Sequence, residues 1–421
     1  MSDLEAERRG IQKRVVRVLQ LGVIPGGLAM TSGYAAAALL GSEITGSETK
    51  GALAAMCLSL GGTLLGLPLG VIMARRGRRL GLTIGYLSGA LGGFLASVAA
   101  LTGAYILLVL GMVLIGSGQA SNLAARYTGA DLASDQDRAE SMSLVMWANT
   151  VGSVLGPTIG LGLTSLGSEN STARFALPYI FSTVLFSIAA SIIFKSLKPD
   201  PLHIAAKFGG VSDIKPPSFS ALKKLVSHPT ARLGLLGMML SQAVMVGVMT
   251  VTPLHMKDGG QSTAFIGLMI SLHIVGMYAF SPLVGKLTDH FGCEVMIGLG
   301  ALMLALGAEV ASHTSAPDAM GHIVGLFLVG VGWNFCIVAA GSLIVSAFEP
   351  GIRVATQASA DVLMTATGAT AGISSGLAVE QRSFHDLAHW AMFVGLALAV
   401  ITTISVVRRQ KVVKNDEVPA T

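Results

Sequence analysis

The chain has 421 residues, of which 52% are hydrophobic and 12% charged, and its formal net charge at pH 7 is +5. This composition excludes an ordinary soluble protein, whose charged share is about twice as large. It also excludes a nucleic-acid-binding protein, because the basic residues stand between long apolar runs instead of forming one basic surface. The composition is typical of a helical protein that crosses the membrane many times.

Twelve apolar stretches follow one another along the chain. Each is long enough, at about 1.5 Å per residue, to cross a hydrocarbon core of about 30 Å. They predict an all-α, polytopic membrane protein with twelve transmembrane helices in two pseudo-symmetric six-helix bundles. The predicted spans are 15–40, 51–74, 79–101, 104–130, 139–164, 174–196, 231–256, 263–285, 293–313, 319–346, 353–378 and 386–407.

The longest polar stretch, Lys198 to Thr230, contains five prolines and is typical of a linker. It divides the chain into an N-terminal bundle (1–197), a cytoplasmic linker (198–230) and a C-terminal bundle with a cytoplasmic tail (231–421).

The basic residues predict the orientation of the spans. With both termini in the cytoplasm, 24 of the 28 lysines and arginines fall in the N-terminal arm, the inner loops, the linker or the tail. Loops on the cytoplasmic side carry such an excess of basic residues. The sequence therefore predicts a multi-pass protein of the cytoplasmic (inner) membrane with both termini inside.

Two short segments repeat at a fixed distance. "GVIMARRGRR" at 70–79 corresponds to "GKLTDHFGCE" at 285–294, so that Gly70 matches Gly285 and Gly77 matches Gly292, both at an offset of 215. Arg138 and Arg353, which open the fifth and eleventh predicted spans, lie at the same offset. Duplicated six-helix halves favour a substrate path between them, near the middle of the membrane.

These loops, together with the 6 + 6 arrangement, resemble the major facilitator superfamily over residues 10 to 410. The family's loop after the second span has an Asp where this chain has Ala74, whereas the second copy keeps Asp289. "ADLASDQDRAESMS" is similar to the family's acidic residue after the fourth span and arginine at the start of the fifth, here Asp131 and Arg138.

"GSVLGPTIG" at 152–160 resembles the Gly-Pro motif of drug–proton antiporters, although Leu161 stands where those transporters often have a further glycine. Many proton antiporters have an arginine within the fourth span, and Met112 occupies that position here. The motif residues on the fifth span are Gly152, Gly156, Pro157 and Gly160. They predict a helix whose packing controls leak and cavity shape, or an ordinary seam of small residues.

The repeated loops predict a latch on the cytoplasmic side. Arg75 and Arg78 are expected to pair with Asp131, and Asp289 is expected to cap the start of the fifth span near Arg138. Because Ala74 removes the corresponding carboxylate from the first copy, the latch is expected to be weaker there. The alternative is that the arginines only set the topology. The latch candidates are Gly70, Arg75, Gly77, Arg78, Asp131, Arg138, Gly285, Asp289, Gly292 and Arg353.

Ionised groups within a membrane are costly and indicate function. Asp361 is the first candidate for a proton- or cation-coupling group, with a structural carboxylate as the alternative, and His273 is a second coupling candidate. The resemblance implies that the first, fourth, seventh and tenth spans line the cavity. The substrate candidates on these spans are Gln119, Asn122, Arg126, Gln242, Met245, Met249, Trp333 and Asn334.

We therefore expect a secondary transporter that works by alternating access, with protons as the coupling ion, the lipid bilayer around it and a monomeric state. Export of small amphipathic compounds is the first hypothesis and uptake of one specific metabolite is the second. A non-transporting membrane sensor is a remote third. No Walker-type loop, metal cluster or nucleophile motif is recognised, so neither an enzyme nor a cofactor is expected.

Overall fold

The computed structural model describes residues 2–167, 171–208, 214–261 and 263–416. These residues form fifteen α-helices and one 3₁₀ turn, and no strand occurs among them. The helices are α1 (Ser2–Thr45), α2 (Glu48–Arg76), α3 (Arg78–Thr102), α4 (Tyr105–Thr128), α5 (Arg138–Thr164), α6 (Ala176–Ser196), α7 (Pro201–Phe208), α8 (Phe219–Ser227), α9 (Pro229–Asp258), α10 (Thr263–Tyr278), α11 (Ser281–Phe291), α12 (Cys293–His313), α13 (Ala319–Ser346), α14 (Pro350–Gln381) and α15 (Phe384–Asp416).

Twelve helical segments within the described residues are long and apolar enough to cross a membrane. The all-α, twelve-span architecture predicted from hydropathy is thus confirmed. Each span agrees with one predicted stretch, although α1 begins well before the predicted residue 15 and α15 continues past the predicted residue 407.

The eighth predicted span, 263–285, is not one continuous helix. It consists of α10 and α11, which are separated at Ala279 and Phe280. Pro282 lies in the first turn of α11 and has no N–H to donate to the preceding turn. The side-chain amide of Asn334, from α13, donates to the backbone oxygen of Met277 at this break. A neighbouring helix therefore satisfies the carbonyl that the break leaves free.

The linker region is more ordered than its prolines predict, because it contains α7 and α8. At its start, the Asp200 carboxylate accepts hydrogen bonds from the backbone N–H of Arg79 (2.8 Å) and of Leu202 (3.0 Å). Asp200 therefore caps the first turn of α3 as well as that of α7.

The chain forms two compact units. Unit 1 comprises residues Met1–Asp135, Ser141–Lys224 and Phe348–Ala369, and unit 2 comprises Gln136–Glu140, Leu225–Ala347 and Thr370–Thr421. Unit 1 therefore contains α1–α4, most of α5, α6, α7, most of α8 and the first part of α14. Unit 2 contains the start of α5, the end of α8, α9–α13, the rest of α14 and α15.

Glycine contacts within each unit follow the repeat of the sequence. In unit 1, a Cβ placed on Gly111 would lie 2.7 Å from the backbone oxygen of Gly92, so α3 and α4 touch through their backbones. In unit 2, a Cβ on Gly307 would lie 2.7 Å from the backbone oxygen of Gly325, which joins α12 to α13 in the same way. Gly92 and Gly307 are separated by the offset of 215 that relates the two loops. Such small-residue contacts are typical of helix packing in membranes.

Candidate functional site

The end of α2 and the start of α3 place one arginine inside the protein. Arg78 is almost fully buried and makes two hydrogen bonds to the Asp131 carboxylate, at 2.9 Å from Nε and 3.1 Å from Nη2. Its Nη2 atom also donates to the side-chain oxygen of Gln357, in α14, at 2.6 Å. Arg78 thereby joins the connector after α4 to the first turns of α14, all within unit 1. Burial raises the pKa of the Asp131 carboxyl, and the charge of Arg78 opposes this shift.

Gly77 explains which arginine turns inward. It has φ 92° and ψ 163°, a conformation that is open essentially to glycine alone, and it separates Arg75 from Arg78. Arg75 is exposed on the last turn of α2, so the expected pairing of Arg75 with Asp131 does not occur and Arg78 alone makes it. On the preceding turns of α2, Gly70 packs closely on Ala358 of α14, where an added Cβ would lie 2.6 Å from the Ala358 side chain.

A second buried ion pair lies next to the first. Arg126 of α4 donates from Nη2 to the Asp361 carboxylate of α14 at 2.5 Å, and the side chains of Arg126 and Asp361 are 2% and 13% exposed. The Tyr127 hydroxyl accepts from Arg126 at 3.1 Å and donates to Asp361 at 3.3 Å. The two residues predicted as separate candidates, one for substrate and one for coupling, are therefore partners.

A small cavity of about 30 Å³ adjoins both ion pairs. Arg78, Tyr127, Gln357 and Asp361 contribute to its lining, and all its lining residues belong to unit 1. This volume has room for about one water molecule. Asp361 therefore has both a fixed cation and a small cavity beside it.

Amide side chains form a network further along α4. Asn122 accepts a hydrogen bond from the Tyr86 hydroxyl at 2.6 Å and donates to the side-chain oxygen of Asn149 at 3.3 Å, which links α3, α4 and α5. Gln119 is near Gly62 of α2, and its buried side-chain oxygen has no hydrogen-bond partner among the described residues. The Gln119–Asn122–Arg126 stripe predicted from spacing thus contains an amide part and a charged part.

In unit 2, a carboxylate caps the start of α5. The two oxygens of Asp289 accept from the backbone N–H of Ala139 at 3.0 Å and of Glu140 at 2.8 Å. Arg138 is buried beside them at the first position of α5, and Lys286 lies 3.6 Å from the Glu140 carboxylate. Gly292 ends α11 with φ 90° and ψ 153°, nearly the conformation of Gly77, and Gly285 is buried one turn before Asp289.

Arg353 lies at the start of α14, within unit 1. Its Nε atom donates to the backbone oxygen of Phe348 at 2.8 Å, at the start of α14. In the repeat, Ala74 corresponds to Asp289 and has no carboxylate. Arg78 contacts α14 through Gln357 instead.

Unit 2 has its own pairing of an amide with an aromatic side chain. The Trp333 indole N–H donates to the side-chain oxygen of Gln242 at 2.8 Å, and the Tyr278 ring packs against Trp333 at a centroid distance of 5.6 Å. Met245 is buried and Met249 is half-buried on α9, in the turns that follow Gln242.

Two predicted residues of unit 2 make backbone contacts. Asn334 is fully buried, donates to the break between α10 and α11, and also donates to the Ser281 hydroxyl at 2.6 Å. His273 is fully buried in α10, with Nδ1 2.7 Å from the backbone oxygen of Leu326. Asn334, on α13, is therefore held against α10 and α11, and His273, on α10, is held against α13.

The Gly-Pro motif of α5 packs against α1 within unit 1. Gly152 accepts a hydrogen bond from the Thr31 hydroxyl at 3.0 Å, and added Cβ atoms on Gly156 and Gly160 would meet Thr31 and Ser32. Pro157 lies inside α5, which continues through it. The motif therefore allows close contact between two helices of unit 1.

Several contact residues were not predicted, although weak signals for them exist in the sequence. Gln357 precedes Asp361 by one helical turn and so shares its face, and Tyr127 follows Arg126 directly. Asn149 is a lone amide in an apolar span. Asp200 has no sequence signal beyond its place before a proline, since its partner Arg79 is distant in the chain.

Comparisons with known proteins concern the family and the fold of the chain. The family model of the Major Facilitator Superfamily matches residues 21–372. The chain is 34% identical over 386 residues to YddS, an uncharacterized MFS-type transporter of Bacillus subtilis, over 91% of this chain and 88% of the relative. It is 26% identical over 406 residues to the riboflavin transporter RfnT of Brucella anthropi, over 96% and 97% of the two chains.

Among solved structures, the human organic anion transporter MFSD10 (TETRAN) matches with a TM-score of 0.74 and 18% identity, over 93% of this chain and 99% of that chain. At this identity the likeness concerns the fold.

Proposed function

The chain belongs to the major facilitator superfamily, and from this membership we propose that it is a proton-coupled secondary transporter that exports small amphipathic molecules by alternating access. The proposal places it as a monomer in the cytoplasmic membrane, with both termini inside. Its two six-helix halves (1–197 and 231–421) are joined by the linker 198–230.

The observation that carries the coupling is the Arg126–Asp361 pair. A carboxylate can take up a proton, whereas an arginine stays charged. While Asp361 is ionised, it attracts Arg126 and holds α14 against α4. Once Asp361 is protonated, that attraction is lost and Tyr127 remains as a neutral hydrogen-bond partner. The protonation state of one side chain thus changes the link between two helices.

The second buried pair acts as a latch in this proposal. Arg78 is bound to Asp131 and Gln357, next to the cavity that also contacts Asp361. In unit 2, Asp289 caps α5 through two backbone N–H groups. Interactions of this kind contribute about 0.5–2 kcal/mol each, which is enough to shift a two-state equilibrium several-fold.

The paired charges indicate the chemistry of the substrate. Arg126 is already bound to Asp361, so the remaining candidate contacts are amide, aromatic and thioether groups. Asn122 and Gln119 provide amides in α4, and Gln242, Trp333 and Met249 provide an amide, a ring and a thioether in unit 2. Such groups suit a molecule without net charge that has a flat apolar part and a few polar atoms.

Uptake of a specific metabolite is the second candidate. The Tyr86–Asn122–Asn149 network offers fixed hydrogen-bond geometry, which suits one defined ligand. The riboflavin transporter relative, which aligns over nearly the whole of both chains, makes flavin-like heteroaromatic compounds the first ligands to test.

Transport by proteoliposomes with an imposed pH gradient tests the coupling. We expect Asp361→Asn to abolish accumulation driven by the gradient while retaining substrate counterflow without a gradient, because counterflow needs no net proton movement. Asp258→Asn, which changes an exposed carboxylate at the end of α9, is the matched control and should behave as the wild type. Gradient-driven accumulation by Asp361→Asn would remove Asp361 from the coupling role.

Whole cells that lack their own efflux pumps separate the two directions. Export predicts lower accumulation of an amphipathic dye, whereas uptake predicts increased entry of labelled riboflavin. A protein that gives neither response, with either class of compound, would favour the sensor alternative.

A further inference from the structure

Two helices of unit 2 bring three metal-binding side chains together at the end of α12. Glu309 and His313 lie one turn apart in the last turns of α12, and His389 lies in the second turn of α15. One carboxylate oxygen of Glu309 is 3.4 Å from His313 Nδ1, and the other is 3.7 Å from His389 Nε2. One ligand atom from each residue lies within 4.8 Å of the other two.

These separations are close to those around a metal ion. Zinc binds imidazole nitrogen and carboxylate oxygen at about 2.0–2.2 Å, so neighbouring ligands of a tetrahedral ion lie about 3.3–3.5 Å apart. Two imidazoles and one carboxylate favour zinc and similar transition metals over magnesium and calcium, which prefer oxygen. The set leaves at least one coordination position for water.

The surroundings fix the two helices and orient the ligands. An added Cβ on Gly395 of α15 would lie 2.9 Å from the backbone nitrogen of Ala305, so α12 and α15 pack closely just below the cluster. The Ser312 hydroxyl lies 3.4 Å from a Glu309 carboxylate oxygen and 3.1 Å from His313 Nδ1. A hydroxyl that donates to a metal-binding carboxylate helps to position it. The contact of Ser312 with Nδ1 is given up when that atom binds the ion.

We infer that Glu309, His313 and His389 form a binding site for a zinc-like divalent transition-metal ion. Nδ1 of His313 also lies 3.2 Å from the backbone oxygen of Glu309. With the proton on Nε2, Nδ1 exchanges that contact for the ion. The side chains of Glu309, His313 and His389 are 38%, 67% and 41% exposed, so an ion reaches them from solvent. Sequence spacing does not reveal this site, because its third ligand comes from a different helix.

The bound ion would join α12 to α15, at the end of α12 opposite Asp289 and Gly292. In the orientation proposed above, this end faces the outside of the cell. The inference about binding does not depend on the direction or substrate of transport.

The test uses the purified full-length protein without a polyhistidine tag. We expect isothermal titration with Zn²⁺ to show one saturable site that chelator removes. His313→Gln, His389→Gln and Glu309→Gln should each weaken Zn²⁺ affinity about tenfold or more, because each removes a direct ligand. His290→Gln, which changes an exposed histidine in α11 of the same unit, should leave the affinity unchanged.

Equal affinity in all five proteins, or an equal loss in His290→Gln, would overturn the site. A measurement on the unmodified protein guards against variants that fail to fold. Histidine modification by diethyl pyrocarbonate, mapped by mass spectrometry, should be slowed by Zn²⁺ at His313 and His389 but not at His290. Uniform protection, or none, would also overturn the inference.

Discussion

At the residue scale, unit 1 contains two buried ion pairs, Arg78–Asp131 and Arg126–Asp361. Both pairs contact α14, the first through Gln357 and the second through Asp361 itself. Sequence analysis selected Arg126 and Asp361 individually from the cost of charge in a membrane, but it could not show that residues 235 positions apart are in contact. It also could not distinguish Arg75 from Arg78, because both stand in one basic loop. The conformation of Gly77 decides which of them enters the protein.

A double-mutant cycle should measure the Arg126–Asp361 interaction. Arg126→Gln and Asp361→Asn each leave one polar group without its ionic partner, so each should lower thermal stability in detergent. The double variant should be less destabilised than the sum of the two, with a coupling energy of about 1–3 kcal/mol. A thiol-reactive dye can follow unfolding, because Cys57 and Cys336 are buried.

The exposed ion pair between Arg174 and Glu43 is the matched control. Its side chains are 25% and 33% exposed, so the same cycle should give a coupling below about 1 kcal/mol. Equal coupling in the two pairs would mean that burial does not strengthen the Arg126–Asp361 interaction.

At the element scale, the two repeated loops use the same backbone turn. Gly77 and Gly292 end α2 and α11 with nearly equal φ and ψ, and each donates its N–H at 2.9 Å to the residue four positions earlier, Met73 and Thr288. The sequence predicted this equivalence from the offset of 215. It could not predict that the Asp200 carboxylate lies against Gly77, whereas a Cβ added on Gly292 would meet Glu294 Oε2 at 3.9 Å.

Alanine substitutions should show this difference. The backbone conformation costs any other residue roughly 1–3 kcal/mol, so Gly77→Ala and Gly292→Ala should both lower the unfolding temperature. Gly77→Ala should lower it further, since the new Cβ meets the Asp200 carboxylate. In a protein that also carries Asp200→Ala, the two glycine substitutions should lower the unfolding temperature equally. Equal shifts in the protein that keeps Asp200 would contradict the contact between Asp200 and Gly77.

The broken eighth span is the element that hydropathy described least well. A window of apolar residues does not show that Pro282 interrupts the backbone hydrogen bonds, nor that a side chain from α13 compensates. Asn334 was predicted as a substrate contact because the resemblance implies that the tenth span lines the cavity. Its contacts with Met277 and Ser281 serve the helix break, so we leave it out of the proposed substrate surface.

At the scale of the whole molecule, hydropathy was sufficient to place all twelve spans, because length and apolar content are properties of each segment alone. Substrate and direction depend on side chains from many helices, and a single sequence does not show how these come together. The orientation depends on the distribution of basic residues and stays a prediction.

Cysteine labelling should test the orientation. Lys50→Cys, in the first turn of α2, should react with a membrane-impermeant maleimide in intact cells, whereas Arg75→Cys, at the other end of the same helix, should react only after lysis. Both positions are exposed, so accessibility alone does not separate them. The reverse pattern would invert the topology and place the arginine-rich loop outside.

The double cap made by Asp200 limits how the chain can be cut or extended. Its carboxylate serves both α3 and α7, so the first residues of the linker belong structurally to the N-terminal half. A reporter domain or protease site inserted between Pro199 and Leu202 would uncap both helices together. If the two halves are expressed as separate polypeptides, Asp200 therefore has to remain on the first of them for that fragment to keep its native ends.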